Sequence, residues 1–124
     1  MNNKKTILII EDEQQIVEIY NNKFSELGVN IDIAQTGKEG LNLARKEPDL
    51  IILDIMLPGG LNGFDVLSTL KRDETLKKIP VLILTNLDDE QKLTALDLGA
   101  FDYLVKANTP IKEIVEKIRS ILKI

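Results

Sequence analysis

Cysteine and histidine are both absent from the 124 residues. Without cysteine there is no disulfide framework and no thiol chemistry. Without histidine the chain lacks the commonest zinc ligand, a Ser-His-Asp hydrolase constellation and any means of donating a phosphoryl group from a phosphohistidine. No apolar stretch approaches the ~20 residues that cross a bilayer. The opening residues, Met1 to Thr6, are polar and carry no secretion signal, so the expectation is a cytoplasmic protein with no membrane association. Basic clusters are missing as well: Lys4-Lys5, Lys71-Arg72 and Lys77-Lys78 are isolated pairs, and 16 Lys+Arg against 20 Asp+Glu leave a net charge of −4. That balance argues against direct nucleic-acid binding. There is no internal repeat, linker or low-complexity segment, and the length suits one domain, residues 1–124, around one core.

What is present alternates. Five short runs, Thr6–Ile10, Ile31–Ala34, Leu50–Leu53, Val81–Leu84 and Phe101–Val105, predict strands, and the amphipathic stretches between them predict helices. Gln14–Leu27 sets Ile16, Tyr20, Phe24 and Leu27 on one helical face, and Gly28 terminates it. Thr36-Gly37-Lys38-Glu39 is a capping-box pattern that opens a second helix running to about Lys46. Phe64, Leu67 and Leu70 stripe a third helix, and Leu93, Ala95 and Leu96 a fourth that stops at Gly99. Thr109-Pro110 caps a fifth, whose Ile111, Ile114, Val115, Ile118, Ile121 and Leu122 face the core. Regular βα alternation predicts an α/β fold with a parallel sheet covered on both faces. The first, third and fourth runs are almost wholly aliphatic, as strands buried on both faces are. Asn30-Ile31-Asp32-Ile33-Ala34 and Phe101-Asp102-Tyr103-Leu104-Val105 alternate with polar residues and suit the two edges.

Four of these runs end in a chemically capable group. Asp54 follows Leu50–Leu53, Glu11-Asp12-Glu13 follows Thr6–Ile10, Thr85 follows Val81–Leu84, and Lys106 follows Val105. Open α/β sheets keep their ligands at the carboxyl ends of the strands. Taken singly, each residue has an ordinary structural explanation. Asp12 suits a helix N-cap and Glu11 with Glu13 a solvated charge run. Asp54 suits a turn before Pro58, Thr85 an N-cap, Lys106 a solvated strand-end lysine and Tyr103 a packing role. Their coincidence at one end of adjacent strands is what points to a shared site. Glu11, Asp12 and Asp54 supply hard oxygen ligands for a small divalent ion such as Mg²⁺. A carboxylate can attack a phosphoryl group and form an aspartyl-phosphate, with a metal offsetting the repulsion. An ammonium and a hydroxyl then steady the phosphoryl oxygens.

The ordered set Leu8-Ile9-Ile10-Glu11-Asp12-Glu13, Asp54-Ile55-Met56-Leu57-Pro58-Gly59 with Gly63-Phe64, Leu84-Thr85 and Asp102-Tyr103-Leu104-Val105-Lys106 resembles the receiver domain of two-component response regulators, over the whole chain. The resemblance implies a flavodoxin-like doubly wound (βα)5 fold with a five-stranded parallel sheet of order 2-1-3-4-5. It implies a phosphorylation-activated switch in which Asp54 is the phosphoacceptor. Asp12 would ligate Mg²⁺ directly, Glu11 would assist through water, and the main-chain carbonyl of Met56 would complete the protein ligands. Lys106 would pair with the phosphoryl group. Thr85 and Tyr103 would form a switch pair, Thr85 moving to the phosphoryl oxygen and the Tyr103 ring turning inward. The implied partners are a sensor histidine kinase or histidine phosphotransfer protein and an effector domain or target. A homodimer is a further expectation, through the fourth helix, fifth strand and fifth helix by way of Lys92, Leu93, Asp102 and Arg119. Catalysis would be confined to the chain's own phosphorylation and dephosphorylation.

Three positions depart from the family pattern. Ala107 stands where proline, often preceded by a cis bond, is usual, and a cis bond before a non-proline residue costs about 2.5–4 kcal/mol. The turn from Pro58 to Gly63 is one residue longer than is common. Asn86 replaces a small residue after Thr85, where its bulk is expected to narrow access to Asp54. Met56 and Leu87 flank the site with apolar side chains expected to limit water entry and slow phosphate loss. The alternatives are a degenerate receiver serving only as an interaction module, and a small Mg²⁺-dependent phosphatase of the haloacid-dehalogenase type. The latter needs a second aspartate two positions after the nucleophile, where Met56 stands. A flavin-binding relative of the same fold would need a phosphate-cradling loop after the first strand, where the three acids stand instead.

Overall fold

The computed structural model describes residues 4–124; residues 1–3, the start of the polar N-terminal stretch, lie outside the described residues. The strands are β1 (Thr6–Ile10), β2 (Asn30–Ala34), β3 (Leu50–Leu53), β4 (Val81–Thr85) and β5 (Asp102–Val105). The helices are α1 (Gln14–Ser25), α2 (Gly37–Ala44), α3 (Gly63–Arg72), α4 (Lys92–Asp97) and α5 (Ile111–Leu122). Every strand pair is parallel and the order is β2-β1-β3-β4-β5, the expected flavodoxin-like sheet with β2 and β5 at its edges.

The pleat divides the core in two. Successive strand residues point to opposite faces. Leu8, Ile10, Ile51, Leu53, Val81, Ile83 and Tyr103 therefore pack on one side, with Val66, Leu67 and Leu70 of α3 and Ala95 of α4. Ile7, Ile9, Leu50, Ile52, Leu82 and Leu84 pack on the other, against Tyr20 and Phe24 of α1 and Ile114, Ile118 and Leu122 of α5. The rings of Tyr20 and Phe24 stack with centroids 5.1 Å apart, one helical turn between them.

Several boundaries differ from the sequence-based expectation, each for a local reason. α1 buries Val17, Tyr20 and Phe24, and the chain leaves it through a turn that ends at Gly28, whose φ of +75° favours glycine. Thr36 caps α2 by accepting from the Glu39 N–H at 3.1 Å, but the Glu39 carboxylate reaches back to the Gln35 N–H rather than to Thr36. A complete capping box opens α3 instead, between Asn62 and Asp65. The fourth helical segment starts as a 3-10 turn, Asp89–Gln91, before α4, and only Ala95 of α4 is buried. Leu93, expected on the core stripe, is 74% exposed. Thr109 does not cap α5; its hydroxyl donates to the Val105 carbonyl, and Pro110 is the N-cap. β5 begins at Asp102, one residue later than expected, although the Phe101 N–H already donates to the Val81 carbonyl of β4.

Asp102 at the start of β5 is bonded to Lys117 of α5 at 2.8 Å, and also accepts from the Tyr103 N–H. Burial on its own would raise the Asp102 pKa, but these two bonds outweigh it and hold the carboxyl below its ordinary value. A depressed folded-state pKa adds stability above the unfolded-state pKa, and that stability is lost as pH falls through the folded value. Lys117→Met is expected to lower the unfolding free energy at pH 7 by less than about 1 kcal/mol, since the pair is partly exposed. The gap from the parent should close as pH falls through and below the ordinary carboxylate range. Urea titrations along a falling pH series check this; a gap that persists at the acid end would assign the loss to packing of the lysine stem.

Candidate functional site

Continuing the strand alternation one residue past β1 and β3 carries Glu11 and Asp54 onto the α1/α5 side of the sheet. Glu11 is 2% exposed and Asp54 4% exposed, so neither belongs to a solvated charge run. Each is tied to its own loop: Glu11 Oε2 accepts from the Glu13 N–H at 3.0 Å, and Asp54 Oδ1 from the Met56 N–H at 3.1 Å. The remaining oxygens converge on Lys106, which follows β5. Its Nζ donates to Asp54 Oδ2 at 2.9 Å and to Glu11 Oε1.

The electrostatics follow from burial and pairing. Burial works against the Lys106 ammonium, but the bonds to Glu11 and Asp54 outweigh it and raise the pKa above the ordinary lysine value. Burial raises the Glu11 pKa in spite of the opposing bonds from Lys106 and the Glu13 N–H. Burial likewise pushes the Tyr20 hydroxyl up to about 12, with the Lys106 charge acting in the opposite direction. Tyr20 is a neighbour of the site that its sequence position marks only as a core residue of α1. A cavity of about 300 Å³ opens beside it, lined by Ile16, Ile19, Tyr20, Lys106, Ala107 and Ile111. No sequence signal announces this cavity, because its walls come from α1, α5, the segment that joins β5 to α5, and Asn86 after β4.

Asp12 is not the cap of α1. That position is Glu13, whose side chain makes no cap bond. Asp12 is left half-buried beside the other two acids, and Glu11, Asp12 and Asp54 can each offer a carboxylate oxygen, all within 4.8 Å of one another. Three hard oxygens at that separation suit a small divalent cation and would not suit a soft metal. Met56 joins the turn through its main-chain N–H while its side chain is 56% exposed.

Thr85 and Tyr103 lie on the other side of the sheet. Thr85 is fully buried, and its Oγ1 accepts a long bond, 3.4 Å, from the Leu87 N–H. The Tyr103 ring is turned inward, 2% exposed, and its hydroxyl donates to the Asp88 carbonyl at 2.8 Å. Burial raises its pKa, with Asp88 and Asp89 adding to the effect. Thus Glu11, Asp12, Asp54 and Lys106 meet directly, whereas Thr85 and Tyr103 meet the loop after β4 between them. The Lys106–Ala107 bond is trans, since the described residues hold no cis peptide bond, and Lys106–Asn108 forms a 3-10 turn that still delivers the ammonium to Asp54. Asn86 is exposed and lines the same cavity as Lys106.

The turn from Asp54 to Gly63 is held from below. The Gly63 N–H donates to the Ile55 carbonyl at 2.8 Å, and a Cβ at Gly63 would lie 2.3 Å from the Asp54 carbonyl oxygen and 2.5 Å from Ile55 Cα. Only glycine lets the start of α3 approach the backbone of the Asp54 turn this closely.

The family model of the response regulator receiver domain matches residues 7–119. The chain is 39% identical over 122 residues to the probable transcriptional regulator ycf27 of Guillardia theta, covering 97% of this chain and 46% of that protein. It is 43% identical over 119 residues to the transcriptional regulatory protein HprR of Escherichia coli, covering 94% of this chain and 51% of the relative. The chain therefore spans about half the length of the curated relatives it matches. A solved structure of a putative response regulator from Chloroflexus aurantiacus superposes with a TM-score of 0.89 at 29% identity, covering 98% of this chain and 100% of that one. No helix among the described residues is long and apolar enough to cross a membrane.

Gly63→Ala is expected to cost about 2 kcal/mol or more, because the added methyl meets backbone that cannot rotate away. The midpoint of a urea titration reads the loss. Parent-like stability would show that the start of α3 can shift.

Proposed function

As the chain belongs to the response regulator receiver domain family, we propose that it is a phosphorylation-activated switch of a two-component system with Asp54 as the phosphoacceptor. The observation that carries this reading is the Asp54 carboxylate, buried at the end of β3, with Glu11 and Asp12 oxygens within 4.8 Å and the Lys106 ammonium at 2.9 Å. An Asp54 oxygen attacks the phosphorus of a phosphohistidine on a sensor kinase or histidine phosphotransfer protein. The O–P bond forms as the P–N bond breaks, and the electron pair leaves on the imidazole. Glu11, Asp12, Asp54 and the Met56 carbonyl would hold Mg²⁺, which supplies positive charge against the incoming dianion. Lys106, bonded to Asp54 before transfer, would pair with a phosphoryl oxygen.

Thr85 couples this chemistry to the surface. Its hydroxyl turns toward the phosphoryl group and gives up the weak bond from the Leu87 N–H, so the loop after β4 repacks around Tyr103. Phosphorylation adds roughly −1.5 to −2 charge, enough to bias such a two-state loop. The output face is α4–β5–α5, where Leu93 and Phe101 are exposed. A second copy or a target protein would read it, and so would an effector segment of a longer protein. Asp102 is already bonded to Lys117 within the chain, so a pair between copies at Asp102 requires that bond to exchange. We place this unit, residues 1–124, in the cytoplasm, with no direct nucleic-acid contact of its own.

Intact mass after incubation with acetyl phosphate and Mg²⁺ is expected to show one phosphate adduct, absent from Asp54→Asn and absent without metal. An unmodified parent that also fails to respond to beryllofluoride would leave only an interaction module. Met56→Asn is expected to lose phosphate several-fold faster than the parent, because a polar side chain replaces an apolar one beside the acceptor. A decay time course reads this directly, and an unchanged rate would remove Met56 from the control of water entry.

A further inference from the structure

Resting on the reading of Asp54 as phosphoacceptor, we infer that the cavity beside Tyr20 is a leaving-group subsite. It takes the short apolar acyl group of an acyl phosphate longer than acetyl phosphate, and the Tyr20 hydroxyl donates to the carboxylate that departs.

Tyr20 is 6% exposed, yet among the described residues its hydroxyl has no hydrogen-bond partner. A buried phenol ordinarily finds one. Phenylalanine would stack on Phe24 as well as tyrosine does, so packing gives the hydroxyl no role. Among the described residues no enclosed side-chain oxygen or nitrogen lacks a partner. The unpartnered hydroxyl therefore reaches open space, and the open space that Tyr20 lines is the cavity of about 300 Å³. Burial pushes its pKa to about 12, so it is a protonated donor at neutral pH.

The lining suits an amphipathic fragment. Ile16, Ala107 and Ile111 supply apolar walls, and Tyr20, Lys106 and Asn86 supply the polar groups. Small-molecule sites have this make-up, and this one is at the small end of their range of about 300–1,000 Å³. It has room for a short acyl chain rather than a nucleotide. Ala107 offers the wall only a methyl, where the family's usual proline would place a ring.

Lys106 joins the cavity to the chemistry: it lines the cavity, and its Nζ is 2.9 Å from Asp54 Oδ2. A donor whose phosphoryl group meets Asp54 can therefore lodge its leaving group beside Tyr20. An Asp54 oxygen attacks phosphorus, the new O–P bond forms, and the bond from phosphorus to the acyl oxygen breaks. The electron pair stays on that oxygen as a carboxylate. The Tyr20 O–H donates to it and keeps its proton, and a hydrogen bond to a forming anion is stronger than one to a neutral oxygen. Each further methylene of the acyl group removes more apolar surface from water.

The parent, Ile16→Trp and Tyr20→Phe are compared after circular dichroism has established that each is folded. Acetyl, propionyl and butyryl phosphate and phosphoramidate serve as donors with Mg²⁺, and intact mass reads the rate of phosphorylation. The three departing carboxylates differ little in basicity, so rate differences along the series read the cavity. The parent is expected to react about tenfold faster with butyryl phosphate than with acetyl phosphate. Ile16→Trp, which fills the cavity, should remove that preference; Ala107→Leu takes its place if it does not fold. Tyr20→Phe should lose about fivefold more rate with the acyl phosphates than with phosphoramidate, which releases no carboxylate. Equal rates along the acyl series in the parent would overturn the inference. So would an equal loss with phosphoramidate in Tyr20→Phe, the sign of altered packing. Phosphorylation by none of the donors would overturn the reading of Asp54 instead. The cavity is then judged on Asp54→Asn by nuclear magnetic saturation transfer from the protein to the methyl group of butyryl phosphate. A signal that the cavity-filling substitution removes supports the subsite, and no signal overturns it.

Discussion

The Lys106 ammonium, shared between Glu11 and Asp54, is the contact on which the carboxyl end of the sheet depends. It joins the ends of β5, β1 and β3 across the edge of the hydrophobic core, and its partners are 95 and 52 residues away in the chain. Two acids buried this deeply would be costly without a cation, and a lysine buried there would be costly without acids. Each charge is therefore tolerable only because the others are present. Such a cluster is a poor way to gain stability and a good way to hold reactive groups ready. The fold supplies the surplus elsewhere, in two largely aliphatic layers packed on the two faces of the sheet.

The pleat gives the site its division of labour. Glu11, Asp54 and Lys106 extend the rows that face α1 and α5, whereas Thr85 and Tyr103 extend the rows that face α3 and α4. Under the proposed switch, the charged groups and the pair that would read them therefore extend rows on opposite faces of one sheet. The loop after β4 is the link, since Thr85 contacts it through the Leu87 N–H and Tyr103 through the Asp88 carbonyl. The Tyr103 ring is already turned inward while Thr85 still accepts from the Leu87 N–H. Holding the ring there needs no more than its burial and one good bond to a main-chain carbonyl.

Much of this was legible along the chain. The aliphatic texture of Leu50–Leu53 and Val81–Leu84 marked interior strands, and the alternation in Asn30–Ala34 marked an edge. The residue following each run identified Asp54, Glu11, Asp12 and Lys106 as neighbours in space. Legibility failed where two local rules competed. Thr36-Gly37-Lys38-Glu39 satisfies the capping-box pattern, yet Glu39 closes onto Gln35, and the full box forms at Asn62 and Asp65. Leu93 matches the helical stripe but sits on a segment that begins as a 3-10 turn, which rotates it into solvent. Asp102 matches a surface charge available to a second copy, but α5 lies close enough for Lys117 to take it.

The sequence by itself determined the parallel sheet, its two edge strands and the residue standing at each strand end, because the periods of 2 and 3.6 and the turn residues are properties of neighbours in the chain, whereas the full strand order followed from the family resemblance. Only the tertiary structure decided that Lys106 bonds Glu11 as well as Asp54 and that Asp12 does not cap α1. It alone decided that Tyr103 is held inward and that a cavity opens beside Tyr20. The reason is physical. Those facts depend on how far side chains reach between elements brought together by packing, and no local pattern encodes a distance between residues that are tens of positions apart.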